Sequence, residues 1–382
     1  MSLRAVATVV TFQGAPIGGA VCSLHVSTSG WLTAVTKTDG YVLWPEVDGG
    51  LTDSDLKITA HDFLDYLAHV TLPAGVNYQF AVPDAQMPPL TPVIPALSPL
   101  HVDGIDFRDA AGTRVVLAEV TNFLQFYRFI RGEDLTPTRY PGFDMDRVTL
   151  TMSYVPAQLG WTPLDPDILG WPGYLKVFDQ FLAYKRSIGR RTELTYLCDM
   201  APMGKSLVWQ KKFVSACSEV AQPYGNVNLQ ELGNEVLDGD NGVNPHDFAD
   251  LDRRGLIWSS GSSLSGEPVP EPYWDYCTPH LVRAPLFKEL ADGNFGEQVY
   301  GEWPAHPVPT HRPMLVNEMK GADETRHDND RSNDPQEFRE LGRIVASRNG
   351  GCLHSSLGVY SQPLGPVQQQ CAAAFLEGIR GG

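Results

Sequence analysis

Residues Val227 to Val236 read VNLQELGNEV. Val227, Leu229 and Leu232 make a short apolar run, and the turn-forming Pro223-Tyr-Gly-Asn226 stands immediately before it. A brief apolar segment that begins at a breaker is how a buried strand of a parallel sheet reads. Its far end has a different character. Gly233, Asn234 and Glu235 place an amide and a carboxylic acid where the strand should run out into a loop.

Working outward, the same strand-then-helix pattern recurs from about residue 103 to the C-terminus. Strands are expected at 115–120, 148–155, 192–198, 227–236, 256–260, 274–278, 313–317 and 351–355. Helices are expected at 123–131, 173–188, 205–221, 285–290, 335–348 and 367–379, with another beginning at Pro245 behind an Asn244 cap. Eight such units in about 280 residues predict an α/β fold of the (β/α)8 TIM-barrel type, whose chemistry sits at the C-terminal ends of the strands. A doubly wound open sheet is the alternative, but no glycine-rich phosphate loop follows the first strand.

Residues 1–82 read differently. ATVVTFQ, AVCSLHVS, WLTAVTKT, YVLWPEV, LKITAHD, AHVTLPA and YQFAVP are β-type runs spaced by Gly, Asp and Asn turns. That spacing predicts a small all-β sandwich preceding the barrel. Six prolines at 83, 88, 89, 92, 95 and 99 mark residues 83–102 as a semi-rigid linker. The expected domains are therefore 1–82, the linker 83–102 and a catalytic barrel at 103–382.

Of the 382 residues 42% are hydrophobic and 19% charged, the composition of a globular protein. Asp+Glu 45 against Lys+Arg 29 gives a formal charge of −16, which argues against nucleic acid or an anionic membrane as partner. A neutral sugar polymer is unaffected by that charge. No run is long enough to cross a bilayer, and the N-terminus reads as a strand rather than a signal peptide. Localisation therefore stays open. The six cysteines are far apart, lack metal-ligand spacing and read as buried free thiols. No cofactor motif is present. The acidic run Asp323 to Asp334 lacks the Gly and terminal Glu of a calcium loop and reads as a solvated rim, so no metal is expected.

Two expected strands end in Asn-Glu: Asn234-Glu235 on the fourth and Asn317-Glu318 on the seventh. Paired carboxyl groups at one face are what glycosidic cleavage requires, one protonated to assist the leaving oxygen and one ionised to attack. Asn234 could hold a sugar hydroxyl. These motifs, with the lead-in IDFRDAAGTRVVLAEVTNF (Ile105 to Phe123), resemble the clan A glycoside hydrolases, closest to the cellulase-like family 5. The N-terminal runs loosely resemble a transthyretin-like or carboxypeptidase-regulatory-like sandwich. The first resemblance implies a retaining mechanism with Glu235 as acid/base and Glu318 as nucleophile. It also implies a supporting role for His280, in CTPHLVR after the sixth strand. Three positions depart from the family. Strand eight offers His354 and Tyr360 in place of a Trp, strand three ends in Cys198-Asp199-Met200 without a His, and SYVPAQLGW after strand two contains no Arg.

Pyranose faces stack on aromatic rings, and six of the eight tryptophans lie in the barrel half. Trp161, Trp171 and Tyr174, expected in a loop after strand two, are the candidate sugar platforms. His354 is a further candidate contact, against the ordinary reading of a satisfied barrel-mouth histidine. For Trp209, inside an amphipathic helix, packing is the better reading, and Asn122 reads as a turn former. Together these features predict an endo-acting retaining hydrolase of a β-linked polysaccharide of mannan or glucan type. The alternatives are an exo-acting β-glycosidase and a non-catalytic carbohydrate-binding protein.

Overall fold

The computed structural model describes residues 4–11, 16–26, 30–48, 51–59, 66–72, 77–82, 97–237, 241–261, 274–278, 312–318, 320–328, 331–346 and 349–381. The chain divides into two compact units. One comprises residues 1–92 with 127–135 and 164–181, and the other comprises 93–126, 136–163 and 182–382.

In the first unit the N-terminal runs form β1 (Arg4–Thr11), β2 (Val21–Val26), β3 (Gly30–Val35), β4 (Tyr41–Asp48), β5 (Leu51–Thr59), β6 (Tyr66–Leu72) and β7 (Asn77–Val82). They make one sheet of order β4-β1-β7 and another of order β3-β2-β5-β6. Alternate residues of each sheet meet in one core: Val9, Val42 and Trp44 from the first, and Cys22, Leu24, Val26, Leu56 and Ile58 from the second. The Trp44 indole donates to the Cys22 carbonyl at 3.2 Å, so the largest core ring also satisfies its polar atom across the two sheets. Gly40, at φ +76°, makes the turn into β4, where a Cβ would lie 2.3 Å from the Val9 oxygen.

The second unit starts with a three-stranded antiparallel sheet, β8 (His101–Asp103), β9 (Asp106–Arg108) and β10 (Arg114–Val115). The lead-in segment is thus largely a cap before the first long strand. Its Phe107 packs with Leu100, Leu117, Met145, Leu229, Ile257, Tyr276 and Leu315. Leu117, Met145 and Leu229 are the first residues of their strands, so this apolar cluster closes the N-terminal end of the sheet. Asn349 ties the cap down, accepting from the Phe107 amide and donating to the Ile105 carbonyl at 2.6 Å.

The main sheet is parallel, with β11 (Leu117–Thr121), β12 (Met145–Thr149), β13 (Arg191–Leu197), β14 (Leu229–Gly233) and β15 (Trp258–Ser259) in order. After the short pair β16 (Gly321–Ala322) and β17 (Arg331–Ser332) comes β18 (Gly350–Leu353), which pairs with the edge of β11 opposite to β12. The segments 274–278 and 312–318 continue the curl. Asp275 N–H donates to Trp258 O at 2.7 Å, Leu315 N–H to Cys277 O at 2.9 Å, and Cys352 N–H to Val316 O at 2.7 Å. Every residue of β11, β12, β13, β14 and β18 is buried, as in parallel strands covered on both faces. Gly350 begins β18 at φ +114°, where a Cβ would stand 1.9 Å from the Leu117 oxygen.

Helices Trp171–Ser187, Leu207–Ala221, Pro335–Ala346 and Pro366–Gly381 match the expected ones within a few residues. Ser206 caps the second, accepting from Trp209 N–H. Strand two is the main correction: it runs over 145–149, and the expected tail at 154–155 opens the helix Tyr154–Gln158. The Asp199 carboxylate, from the exit of β13, accepts the Ser153 and Tyr154 amides at 2.8 Å each and so starts that helix through a tertiary contact. At Pro245 only a 3-10 turn forms, Pro245–Phe248, with Asn244 capping it as expected. The helix expected at 285–290 lies outside the described residues, as does all of the linker before residue 97.

Behind β12, Asp146 faces away from the strand interior and pairs with Lys185 and with Arg190, the latter at 2.9 Å. All three are buried. Removing one partner from such a set leaves uncompensated buried charge, at a cost of about 3–5 kcal/mol. Asp146→Ala should lose roughly that much stability in urea unfolding, and an unchanged midpoint would contradict this role.

Candidate active site

Four consecutive parallel strands carry a charged residue in their middle, each followed two positions later by Thr or Gly. They are Glu119-Val-Thr121, Arg147-Val-Thr149, Glu193-Leu-Thr195 and Glu231-Leu-Gly233. All four charged side chains are fully buried. The register pairs Arg147 with Glu193 and Thr195 with Glu231, so the parallel ladder brings these groups together.

Arg147 is the hub. Its guanidinium donates to both oxygens of Glu231, through Nε at 3.1 Å and Nη2 at 2.9 and 3.2 Å. Nη2 also donates to Asn234 Oδ1 at 2.8 Å, and Nη1 to Glu318 Oε1 at 3.0 Å. Glu193 Oε2 lies 3.5 Å from Nε. One guanidinium therefore touches the end of the fourth strand and the end of the seventh, and it lies over the Phe123 ring at 5.3 Å. Burial opposes its charge, but Glu231, Glu318 and Glu193 hold the Arg147 pKa well above its ordinary value.

The local backbone shows why the sequence reads Gly-Asn-Glu. A Cβ at Gly233 would meet the Leu197 carbonyl at 2.9 Å. Asn234 then bonds back to that carbonyl through its amide at 3.2 Å. Glu235 stands at φ +51°, a left-handed conformation that costs a non-glycine residue about 1–3 kcal/mol and that concentrates at functional sites. The Asn241 side chain donates to the Asn234 carbonyl and fixes the loop from the other side.

Four carboxyl groups crowd one guanidinium, and the interior resolves the excess by keeping protons. Burial, then the neighbouring Glu193, pushes the Glu119 pKa well above its ordinary value, and neither Glu119 oxygen meets a donor among the described residues. Burial, followed by Glu231, raises Glu193 to about 8. Tyr276 OH, itself buried, stands 2.8 Å from Glu193 Oε1.

No protein-family model matches this sequence, and no curated protein matches it. Among solved structures, the chain is similar to a β-glucanase from Saccharophagus degradans in complex with cellotetraose. The identity is 13%, the TM-score 0.51, and 75% of this chain and 98% of that one are covered. The endoglucanase catalytic domain from Thermobifida fusca with cellotetraose gives 13% identity and TM-score 0.47 over 73% and 97% of the chains. A β-mannanase from Streptomyces thermolilacinus with mannohexaose gives 14% and 0.45 over 75% and 96%. The first likeness gives the fold, a curled parallel sheet with helices of the TIM-barrel type found in glycoside hydrolases.

The expected site residues do not all come together. Asn234, Glu235 and Glu318 lie at the strand ends linked by Arg147, with Glu318 only 4% exposed. His354 is buried, 3.1 Å through Nδ1 from Thr121 Oγ1 and beside Phe123, which makes it a wall residue rather than an open contact. Trp161 is half-buried beyond the Tyr154–Gln158 helix. Trp171 and Tyr174 are not loop residues: they belong to the helix Trp171–Ser187 and to the other unit. Trp171 donates to Asp167 at 2.7 Å, while the Tyr174 ring is 2% exposed and so presents no platform. His280 lies outside the described residues.

Trp209 stacks on Phe213 as packing predicts, and Asn122 is buried, donating to the Thr138 carbonyl at 3.0 Å. In the acidic run, Asp323 accepts the Thr325 and Arg326 amides and Asp328 pairs with Arg326. Among the described residues no cluster of three or more potential metal ligands occurs. Sequence reasoning missed Arg147, because a strand read three residues too late places it before the strand. The signal available was the repeated charged-apolar-Thr spacing.

Glu193 generates a pH test. Its folded pKa is raised, so between about pH 4.5 and 8 the unfolded chain has released a proton that the folded chain keeps, and stability falls as pH rises through that window. Glu193→Gln should be close to wild type at pH 5 and gain relative to it by pH 8, on the order of a few kcal/mol in urea unfolding. A wild-type-to-variant difference independent of pH would contradict the assignment.

Proposed function

We propose that this chain is a retaining β-glycoside hydrolase. The observation that carries the reading is the single buried guanidinium bonded both to Asn234, next to Glu235, and to Glu318. Arg147 supplies the positive charge that a nucleophilic carboxylate needs beside it, through Nη1 at 3.0 Å from Glu318 Oε1. Glu318 then attacks the anomeric carbon while Glu235 gives its proton to the glycosidic oxygen. Glu235 next takes a proton from the water that releases the glycosyl group, which restores the β configuration. Asn234, held by its own side-chain oxygen, keeps its amide nitrogen for a sugar hydroxyl.

The proposed substrate is a β-linked glucan or mannan cut internally, with no cofactor. The fold likeness to a β-glucanase solved with cellotetraose supports the glucan as the first polymer to try. The proposed organisation is a β-sandwich accessory domain at 1–82, a spacer at 83–102 and the catalytic domain at 103–382.

Glu318→Gln and Glu235→Gln should each lower kcat on β-glucan or mannan by at least about 10³-fold, as loss of a nucleophile or an acid does. Proton NMR of the first wild-type product should show the β anomer. Full activity in both variants, or an α product, would overturn the proposal.

A further inference from the structure

Glu231 belongs to neither strand end, yet it holds more of the site together than either acid. Its side chain is fully buried and accepts from three other strands: Arg147 on the second, Thr195 on the third at 2.6 Å, and Asn317 on the seventh at 2.5 Å. Two of those donors lead directly to the proposed catalytic groups. Asn317 immediately precedes Glu318, and Arg147 bonds Glu318 itself.

We propose that Glu231 is a positioning residue that fixes the guanidinium plane of Arg147 and the backbone at Asn317, and so sets where the Glu318 carboxylate stands relative to Glu235. The inference rests on the glycosidase reading above. Its physical basis is the shape of the guanidinium. The group is a rigid planar fork, and the double contact of Glu231 with Nε and Nη2 fixes its rotation about the side-chain axis. With that edge taken, and Nη2 also held by Asn234, the remaining terminal nitrogen Nη1 can point only one way, and Glu318 is there. Thr195 and Asn317 prevent Glu231 from turning in its place. A purely structural ion pair would have no need to spend its contacts on the two residues that flank the chemistry. In stability terms, a buried pair is often replaceable by apolar side chains at no loss.

The test uses the full chain with 2,4-dinitrophenyl β-cellobioside, whose leaving group needs no protonation and therefore isolates the nucleophile. Glu231→Gln puts an amide donor where Arg147 and Asn317 both donate. Thr195→Val removes one donor to Glu231 while keeping the shape, and it carries the test if Glu231→Gln fails to fold. Glu231→Gln should lower kcat about 100-fold, the effect of a displacement near 1 Å, with KM within about threefold of wild type. Thr195→Val should lower kcat about 5–10-fold with KM again unchanged, a partial release of the same group. If Thr195→Val, and Glu231→Gln where it folds, keep kcat within about twofold while Glu318→Gln abolishes turnover, Glu231 is structural only and the inference falls alone. If the wild type does not act on the probe or on β-glucan and mannan, or Glu318→Gln is as active as wild type, the reading of the site falls and takes this inference with it.

Discussion

Everything at the C-terminal end of the parallel sheet depends on the charge of Arg147. The side chain is fully buried inside the curl of strands, where an unpaired guanidinium could not be accommodated. Its five N–H groups need acceptors, and the surrounding strands provide them as Glu231, Asn234 and Glu318. The sheet curls around a cation, and the curl brings the ends of the fourth and seventh strands to one point. Glu119 and Glu193 lie on the far side of the same requirement. Four acids around one base exceed what the interior can ionise, and the surplus is carried as protons.

The other end of the sheet is closed by apolar packing. The cap β8-β9-β10 and its Phe107 close the N-terminal ends of the strands with an apolar cluster, and Asn349 bonds that cap on both sides. No polar group of the cluster needs water. Glu193 and Glu231, the charged strand residues that meet Arg147, stand in the middles of their strands, and the loops after β13 and β14 bend sharply. Glu235, Leu237 and Asp199 all adopt left-handed backbone there.

The strand-helix alternation was legible because short β-type runs bounded by turn residues alternate with long helices whose 3.6-residue pattern packing confirms. Asn234, Glu235 and Glu318 were legible because a polar pair after an apolar run marks a strand exit. Arg147 was not, since a lone Arg before an apolar stretch looks like a solvated turn residue until the register shows it paired with Glu193. Tyr154 and Ser153 were misplaced for a similar reason. The group that starts their helix is the Asp199 carboxylate, 45 residues away from Tyr154, and no local pattern announces it. Trp171 and Tyr174 show the limit of aromatic residues as a signal: their identity suits a sugar platform, whereas the burial of Tyr174 on its helix depends on packing.

The central claim is that Glu318 attacks the sugar. Incubation of the wild-type chain with 2,4-dinitrophenyl 2-deoxy-2-fluoro-β-cellobioside, followed by peptide mass mapping, tests it directly. The account predicts one fluoro-cellobiosyl group per chain, in the peptide containing Glu318 and on that residue. A label on a different carboxylate, or time-dependent inactivation with no covalent adduct, would contradict it.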